Sequence, residues 1–252
     1  MFRLLALLLL LLPAGCSIGP TVRPTAAQLD AGGPLPRPVI VVGGYLDPGL
    51  GPNQTAERLI DLTHDLRIAS VSPGFALDME GAANKIVEAV DAAFPTDEPK
   101  WTTEVDVVAI SMGGPAARLA AAPGGAFGDD GRRLRIGRMY SIASPHVGAR
   151  MADRVGWADL LFAGRQMRTG SGFYRELERR EKQAPPEEHY PIVQYAKEND
   201  LSIGPGSELP DHLLDRGVVI WIDTPRGKSG HMKVYADETI RGDIARRLLV
   251  WE

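Results

Sequence analysis

The chain has 252 residues, 44% hydrophobic and 24% charged, and 28 basic against 32 acidic residues leave a net charge of −4. Such a chain buries a core without disulfide or metal staples. It has no basic run interleaved with aromatic residues, so nucleic acid is not an expected partner. The glycine-rich nucleotide spacings and the HExxH metal spacing are also missing, so no cofactor or metal is expected.

In chain order, Arg3 comes first, then an almost pure leucine run over 4–12, then Pro13-Ala14-Gly15-Cys16. A short basic start, an apolar stretch and small residues at its end describe an export signal. The run is too short to span a bilayer, which takes about 20 apolar residues. Cys16 is the only cysteine of the chain, so an internal disulfide is excluded. The Ala-Gly-Cys ending resembles the lipobox of bacterial lipoproteins, with Pro13 where that family usually has leucine. The resemblance implies a signal peptide over 1–15, lipid attachment at Cys16 and a membrane-anchored protein of the cell envelope, on the periplasmic side or the cell surface. The alternative is an ordinary export signal that ends near a cysteine. Residues 16–37 hold Pro20, Pro24, Pro34 and Pro36 with Gly19, Gly32 and Gly33, and show little apolar periodicity. That composition predicts a flexible tether, with the folded domain over 38–252.

Residues 39–42 are a continuous β-branched run, as a strand buried on both faces requires. Residues 53–66 carry Leu59, Leu62 and Leu66 at helical spacing, and 68–72 read as a strand. Ile86, Val87, Val90 and Phe94 share one helical face of 82–94. Then follow a strand at 105–110, an alanine-rich helix at 113–121 and a strand at 136–143. Residues 147–190 read as a long irregular stretch. Strands at 192–196 and 218–222 and a terminal helix holding Ile240, Ile244 and Leu248 complete the pattern. Alternating strands and helices predict an α/β fold, with a mostly parallel central sheet and helices on both faces.

The strongest motif follows the 105–110 strand: Ala109-Ile110-Ser111-Met112-Gly113. A serine hydroxyl is a weak nucleophile that needs a base beside it. A sharp turn from strand to helix lifts the hydroxyl clear of the sheet and turns the next N–H groups toward a developing oxyanion. Small flanking residues are needed because the turn is tight. The plainer reading makes Ser111 the N-cap of a helix.

With this motif, the region from residue 38 onward resembles the α/β-hydrolase superfamily, its lipase and esterase members in particular. Ala109 replaces the first glycine of the usual G-x-S-x-G. Val42-Gly43-Gly44-Tyr45 resembles the strand and oxyanion loop of lipases, with Gly43 in place of their histidine. The resemblance implies oxyanion donors in the N–H groups of Tyr45 and Met112. Ser144-Pro145-His146-Val147-Gly148 resembles a segment whose histidine is structural, so His146 is expected to stabilise a turn.

The superfamily's chain order is serine, acid, histidine. Of the five histidines, only His231 follows the last predicted strand. An imidazole suits a base because its unperturbed pKa, about 6.5, lets it take and return a proton near neutrality. Asp200, after the 192–196 strand, matches the acid; Glu198 and Asp223 are its rivals. The resemblance also makes 147–190 a lid or cap insertion, whose Trp157, Leu160, Leu161, Phe162 and Phe173 either receive an acyl chain or simply pack. The implied protein is a monomeric serine hydrolase acting on small-molecule or lipid carboxylic esters. Thioester or amide hydrolysis, acyl transfer, and a non-catalytic protein of the same fold are the alternatives.

Overall fold

The first strand, β1 (Val39–Val42), is buried along its whole length, and its side chains alternate between two cores. Ile40 and Val42 point into one and Val39 and Val41 into the other, because successive residues of a strand face opposite ways. The computed structural model describes residues 21–125, 131–154, 162–197, 200–204, 208–222 and 231–250. Around β1 stand β2 (Ile68–Val71), β3 (Val105–Ile110), β4 (Ile136–Ile142), β5 (Ile192–Lys197) and β6 (Gly217–Ile222). They form one sheet in the order β2-β1-β3-β4-β5-β6, every pairing parallel.

Eight helices accompany the strands among the described residues: α1 (Ala26–Ala31), α2 (Leu50–Thr63), α3 (Met79–Ala93), α4 (Gly113–Ala121), α5 (Arg150–Arg154), α6 (Phe162–Gln166), α7 (Gly172–Glu181) and α8 (Glu238–Leu249). One face of the sheet is covered by α3 and α4, through Met79, Ile86, Val90 and Ala116. The other is covered by α2 and α8, through Leu59, Ile240, Ile244 and Leu248. Each such Met, Ile, Leu or Val side chain contributes about 1.5–3 kcal/mol on burial, which is what holds the layers together. The predicted α/β architecture with helices on both faces is the one observed.

Two expectations need correction. Residues 21–37 are not a flexible tether. The Val22 N–H donates to the Ser70 hydroxyl and the Val22 carbonyl accepts from the Ser70 N–H, each at 2.9 Å. Helix α1 is closed by a capping box between Thr25 and Gln28. Leu35 is buried, its N–H donates to the Asp65 carboxylate at 2.9 Å, and its carbonyl accepts from Arg67 at 2.6 Å. The described domain therefore includes this segment, held by polar side chains 30 to 48 residues further along the chain. The second correction concerns 147–190, which carries α5, α6 and α7 in place of an irregular chain. Helix α7 is amphipathic: Phe173, Tyr174 and Leu177 are buried, while Glu176–Arg180 and Glu178–Lys182 pair along its outer face.

Candidate active site

The sheet order reverses direction between β1 and β3, so their carboxyl ends flank a crevice, the usual place for a ligand in an open α/β sheet. Ser111 stands at that point, in the turn from β3 to α4, with φ of 52°. This left-handed backbone costs a non-glycine residue about 1–3 kcal/mol and persists only where the surroundings impose it. They do so here. The Ser111 N–H donates to Ile142 O at 2.9 Å, and its carbonyl accepts from the Gly114 N–H at 3.0 Å. A Cβ on Gly113 would lie 2.8 Å from Gly43 O, and one on Gly114 would lie 2.5 Å from the Ser144 hydroxyl. The helix therefore starts hard against its neighbours only because neither residue has a side chain.

Three segments distant in sequence converge on this serine. Ser111 Oγ lies 2.9 Å from His231 Nε2, and His231 Nδ1 lies 2.7 Å from Asp200 Oδ2. His231 opens a 3-10 turn that runs to Ala236 and precedes α8. Asp200 follows β5, and its second carboxylate oxygen accepts from the N–H groups of Ser202 at 2.9 Å and Ile203 at 3.1 Å. Burial alone would raise the Asp200 carboxyl. The hydrogen bond and charge of His231, together with the two backbone N–H groups, outweigh it and hold the carboxyl below its ordinary value. An ionised Asp200 accepts a hydrogen bond from Nδ1–H and so keeps the proton on Nδ1, which leaves Nε2 to accept from the Ser111 hydroxyl.

The residues expected at the oxyanion position also border Ser111. Met112 is the N-cap of α4, where the first N–H groups have no acceptor within the helix. Tyr45 shares a cavity wall with Ser111, and a Cβ on its neighbour Gly44 would come within 3.0 Å of Ser111 Cβ. The rival carboxylates Glu198 and Asp223 lie outside the described residues, as do Trp157, Leu160, Leu161 and Cys16. Phe162 is exposed, and Phe173 is packed edge-on to Tyr174 in the core.

A second serine–histidine pair has the opposite character. Ser141 and His146 are both buried, with Ser141 Oγ 2.9 Å from His146 Nε2. The Ser141 hydroxyl donates to Gln194 Oε1, so it receives its own bond from the imidazole N–H. Arg118 faces the other ring nitrogen at 3.4 Å. Burial first, and the Arg118 charge second, push this imidazole down to about 3, so it stays neutral. Its serine is therefore a relay between two side chains and is not aimed at a ligand. Arg118 itself makes a two-pronged bond to Glu181 of α7, at 2.8 and 2.6 Å, and Glu181 accepts from His212 at 2.8 Å. This network joins α4, α7 and the segments after β4 and β5. Sequence reading missed it, although one arginine in the otherwise uncharged Gly113–Ala121 helix was a signal of a buried partner.

The six-stranded parallel sheet with flanking helices matches that of α/β-hydrolase structures. No protein-family model matches the chain, and no curated protein matches its sequence. Solved structures do match. The mature form of a Bacillus licheniformis lipase has 18% identity and a TM-score of 0.57 over 93% of this chain and 97% of its own. The propeptide form of that lipase has 17% identity and a TM-score of 0.52, over 93% of this chain and 53% of its own. Lipase B of Aspergillus fumigatus has 17% identity and a TM-score of 0.52, over 81% of this chain and 47% of its own. The likeness is one of fold.

Proposed function

We propose that this chain is a serine hydrolase that cleaves carboxylic esters, with Ser111 as nucleophile, His231 as general base and Asp200 as the acid that orients it. The observation that carries the reading is the continuous contact Ser111–His231–Asp200, at 2.9 and 2.7 Å, drawn from three separate segments. Ser111 Oγ attacks the ester carbonyl carbon while its proton passes to His231 Nε2. The oxyanion is held by the N–H groups of Tyr45 and Met112. The tetrahedral species then expels the alcohol, which takes the proton from His231, and leaves an acyl group on Ser111 Oγ. Water attacks that acyl group with His231 again as base, and the carboxylic acid leaves. Asp200 stabilises the imidazolium that forms in each half of the cycle.

The leader also supports a location in the cell envelope, with lipid on Cys16. Chemistry is tested by labelling with a fluorophosphonate and by turnover of a panel of activated esters, thioesters and amides. Ser111→Ala and His231→Ala each lose labelling and lower ester kcat by about 10³-fold or more, because such residues act as a unit. His146→Gln retains labelling. Turnover of thioesters or amides well above esters would reassign the reaction. Unchanged labelling of Ser111→Ala would remove the nucleophile.

A further inference from the structure

Two cavities meet at Ser111 and His231; both are lined mainly by carbon, and only the smaller has a carboxylate in its wall. The larger, about 190 Å³, runs beneath the insertion and is walled almost wholly by carbon: Ala149, Met151, Ala152, Gly164, Met167 and Ile203. The smaller, about 120 Å³, lies on the side of α2 and includes Asp47 and Tyr235. The Asp47 carboxylate there already accepts from the N–H groups of Gly49 and Gly51, in a wall that also includes Leu46, Pro48, Leu50 and Ile110.

The larger cavity is a built feature. Its space comes from three small residues: Ala149 just before α5, Ala152 within α5 and Gly164 within α6. Its walls are tied to one another: the Ala149 N–H donates to Met167 O at 2.8 Å, and the Met151 N–H donates to Ser202 O at 2.9 Å. Helix α6 is tied in turn to the start of α3: the Ala163 N–H donates to Leu77 O at 2.8 Å, and Gln166 Oε1 accepts from the Met79 N–H at 2.7 Å.

We propose that this cavity takes the acyl half of the ester, with a length limit of about six to eight carbons or one aromatic ring, and that Ala152 and Met167 set the limit. An apolar cavity of about 150 Å³ holds a benzene molecule, and pockets for drug-sized ligands start at about 300 Å³. A volume of about 190 Å³ lies between the two. The acyl group belongs in the larger and less polar of the two, because each buried methylene gains from leaving water, and that leaves the side of Asp47 to the alcohol and the incoming water. The inference rests on Ser111 being the nucleophile, since that places the scissile carbonyl at the junction of the two cavities.

The full chain is assayed with p-nitrophenyl esters from acetyl to dodecanoyl, with kcat/KM taken for each. The wild type rises by up to about fourfold per methylene, the ratio expected for burying one CH₂, to an optimum at about six to eight carbons, and falls beyond it. Ala152→Phe fills the cavity and lowers the ratio of octanoyl to acetyl kcat/KM by at least about tenfold, which is the expected loss of several buried methylenes. Met167→Ala opens it and moves the optimum to longer chains, a check that does not depend on fitting a larger side chain. A wild-type profile that is flat or still rising at dodecanoyl overturns the inference, as does an optimum that neither variant moves. Failure of the underlying reading looks different: no ester is turned over and no fluorophosphonate attaches to Ser111, and the acyl assignment falls with it.

Discussion

At the scale of single residues, Ser111 combines two demands that conflict. Its hydroxyl must stand clear of the sheet, and the turn that achieves this holds a non-glycine residue at φ of 52°. Glycine reaches that conformation without the clash of a Cβ. Ser111→Gly is therefore expected to raise stability by about 1 kcal/mol while abolishing turnover, the mark of strain kept for function. Urea unfolding of the two proteins measures it, and a less stable glycine variant would show that the elbow stores no strain. Two serine–histidine pairs occur among the described residues, and residue type alone does not separate them. Direction of the hydrogen bond does. Ser111 faces an imidazole backed by a carboxylate, whereas the Ser141 hydroxyl is spent on Gln194 and its imidazole is backed by Arg118.

At the scale of elements, the insertion between β4 and β5 is fastened to the scaffold by a buried ion pair. Arg118 of α4 and Glu181 of α7 are both nearly solvent-free, and His212 and the His146 carbonyl complete their bonds. Burial would by itself raise the Glu181 carboxyl, but the Arg118 charge and its hydrogen bonds pull it below its ordinary value. Removing one partner leaves a buried charge alone, at a cost of about 3–5 kcal/mol, whereas replacing both with apolar residues of similar size is close to neutral. Arg118→Met and Glu181→Leu are each expected to lower stability by about that amount, and the double variant to recover most of it. Thermal unfolding of the four proteins in the cycle tests this. Additive losses would mean that the pair does not act as a unit.

At the scale of the whole molecule, acid and location both bear on the fold. The His146 imidazole drops from an ordinary 6.5 to about 3 inside the protein, so the unfolded chain binds the proton more readily. Stability from this group is complete above about pH 6.5 and is lost as the pH falls toward about 3, by at most ~1.4 kcal/mol per pH unit. Asp200 and Glu181 are lowered too, from 3.8 and 4.5, and act in the same direction at more acid pH. Between pH 6.5 and 4.5 the decline is therefore chiefly that of His146, and His146→Gln is expected to flatten it. Urea midpoints measured across that window decide, and an unchanged slope would count against a buried neutral imidazole. Location depends on the start of the chain. With Val22 already bound to Ser70, only residues 17–21 separate a lipidated Cys16 from the domain. An extended chain spans at most about 3.6 Å per residue, so the domain would sit within about 20 Å of the membrane surface. Mass spectrometry of the mature protein is expected to find lipid on Cys16. An unmodified N-terminus beyond it would remove the anchor and leave the hydrolase reading as it stands.

The strands were legible in the sequence because a parallel strand covered on both faces is apolar at most positions, and runs such as Val39–Val42 carry no other signal. The elbow was legible because its demands are local: a buried strand, a serine and two glycines in succession. Asp200 and His231 could be picked out by their order after β5 and β6, but their meeting at 2.7 Å belongs to the folded sheet. Other features were decided by tertiary structure alone. Residues 21–37 look like a tether because the contacts that anchor them come from residues such as Ser70, Asp65, Arg67 and Asp106, and a proline- and glycine-rich composition says nothing about bonds made so far along the chain. Two helices of the insertion, α5 and α6, were hidden because each is only 5 residues long, too short for a periodicity to develop. The cavity beside Ser111 is an absence of side chain at Ala149, Ala152 and Gly164, on segments that come together only in the fold. Periodicity and spacing record what a residue does to its neighbours in the chain, while a cavity or a buried ion pair depends on distances that only packing sets.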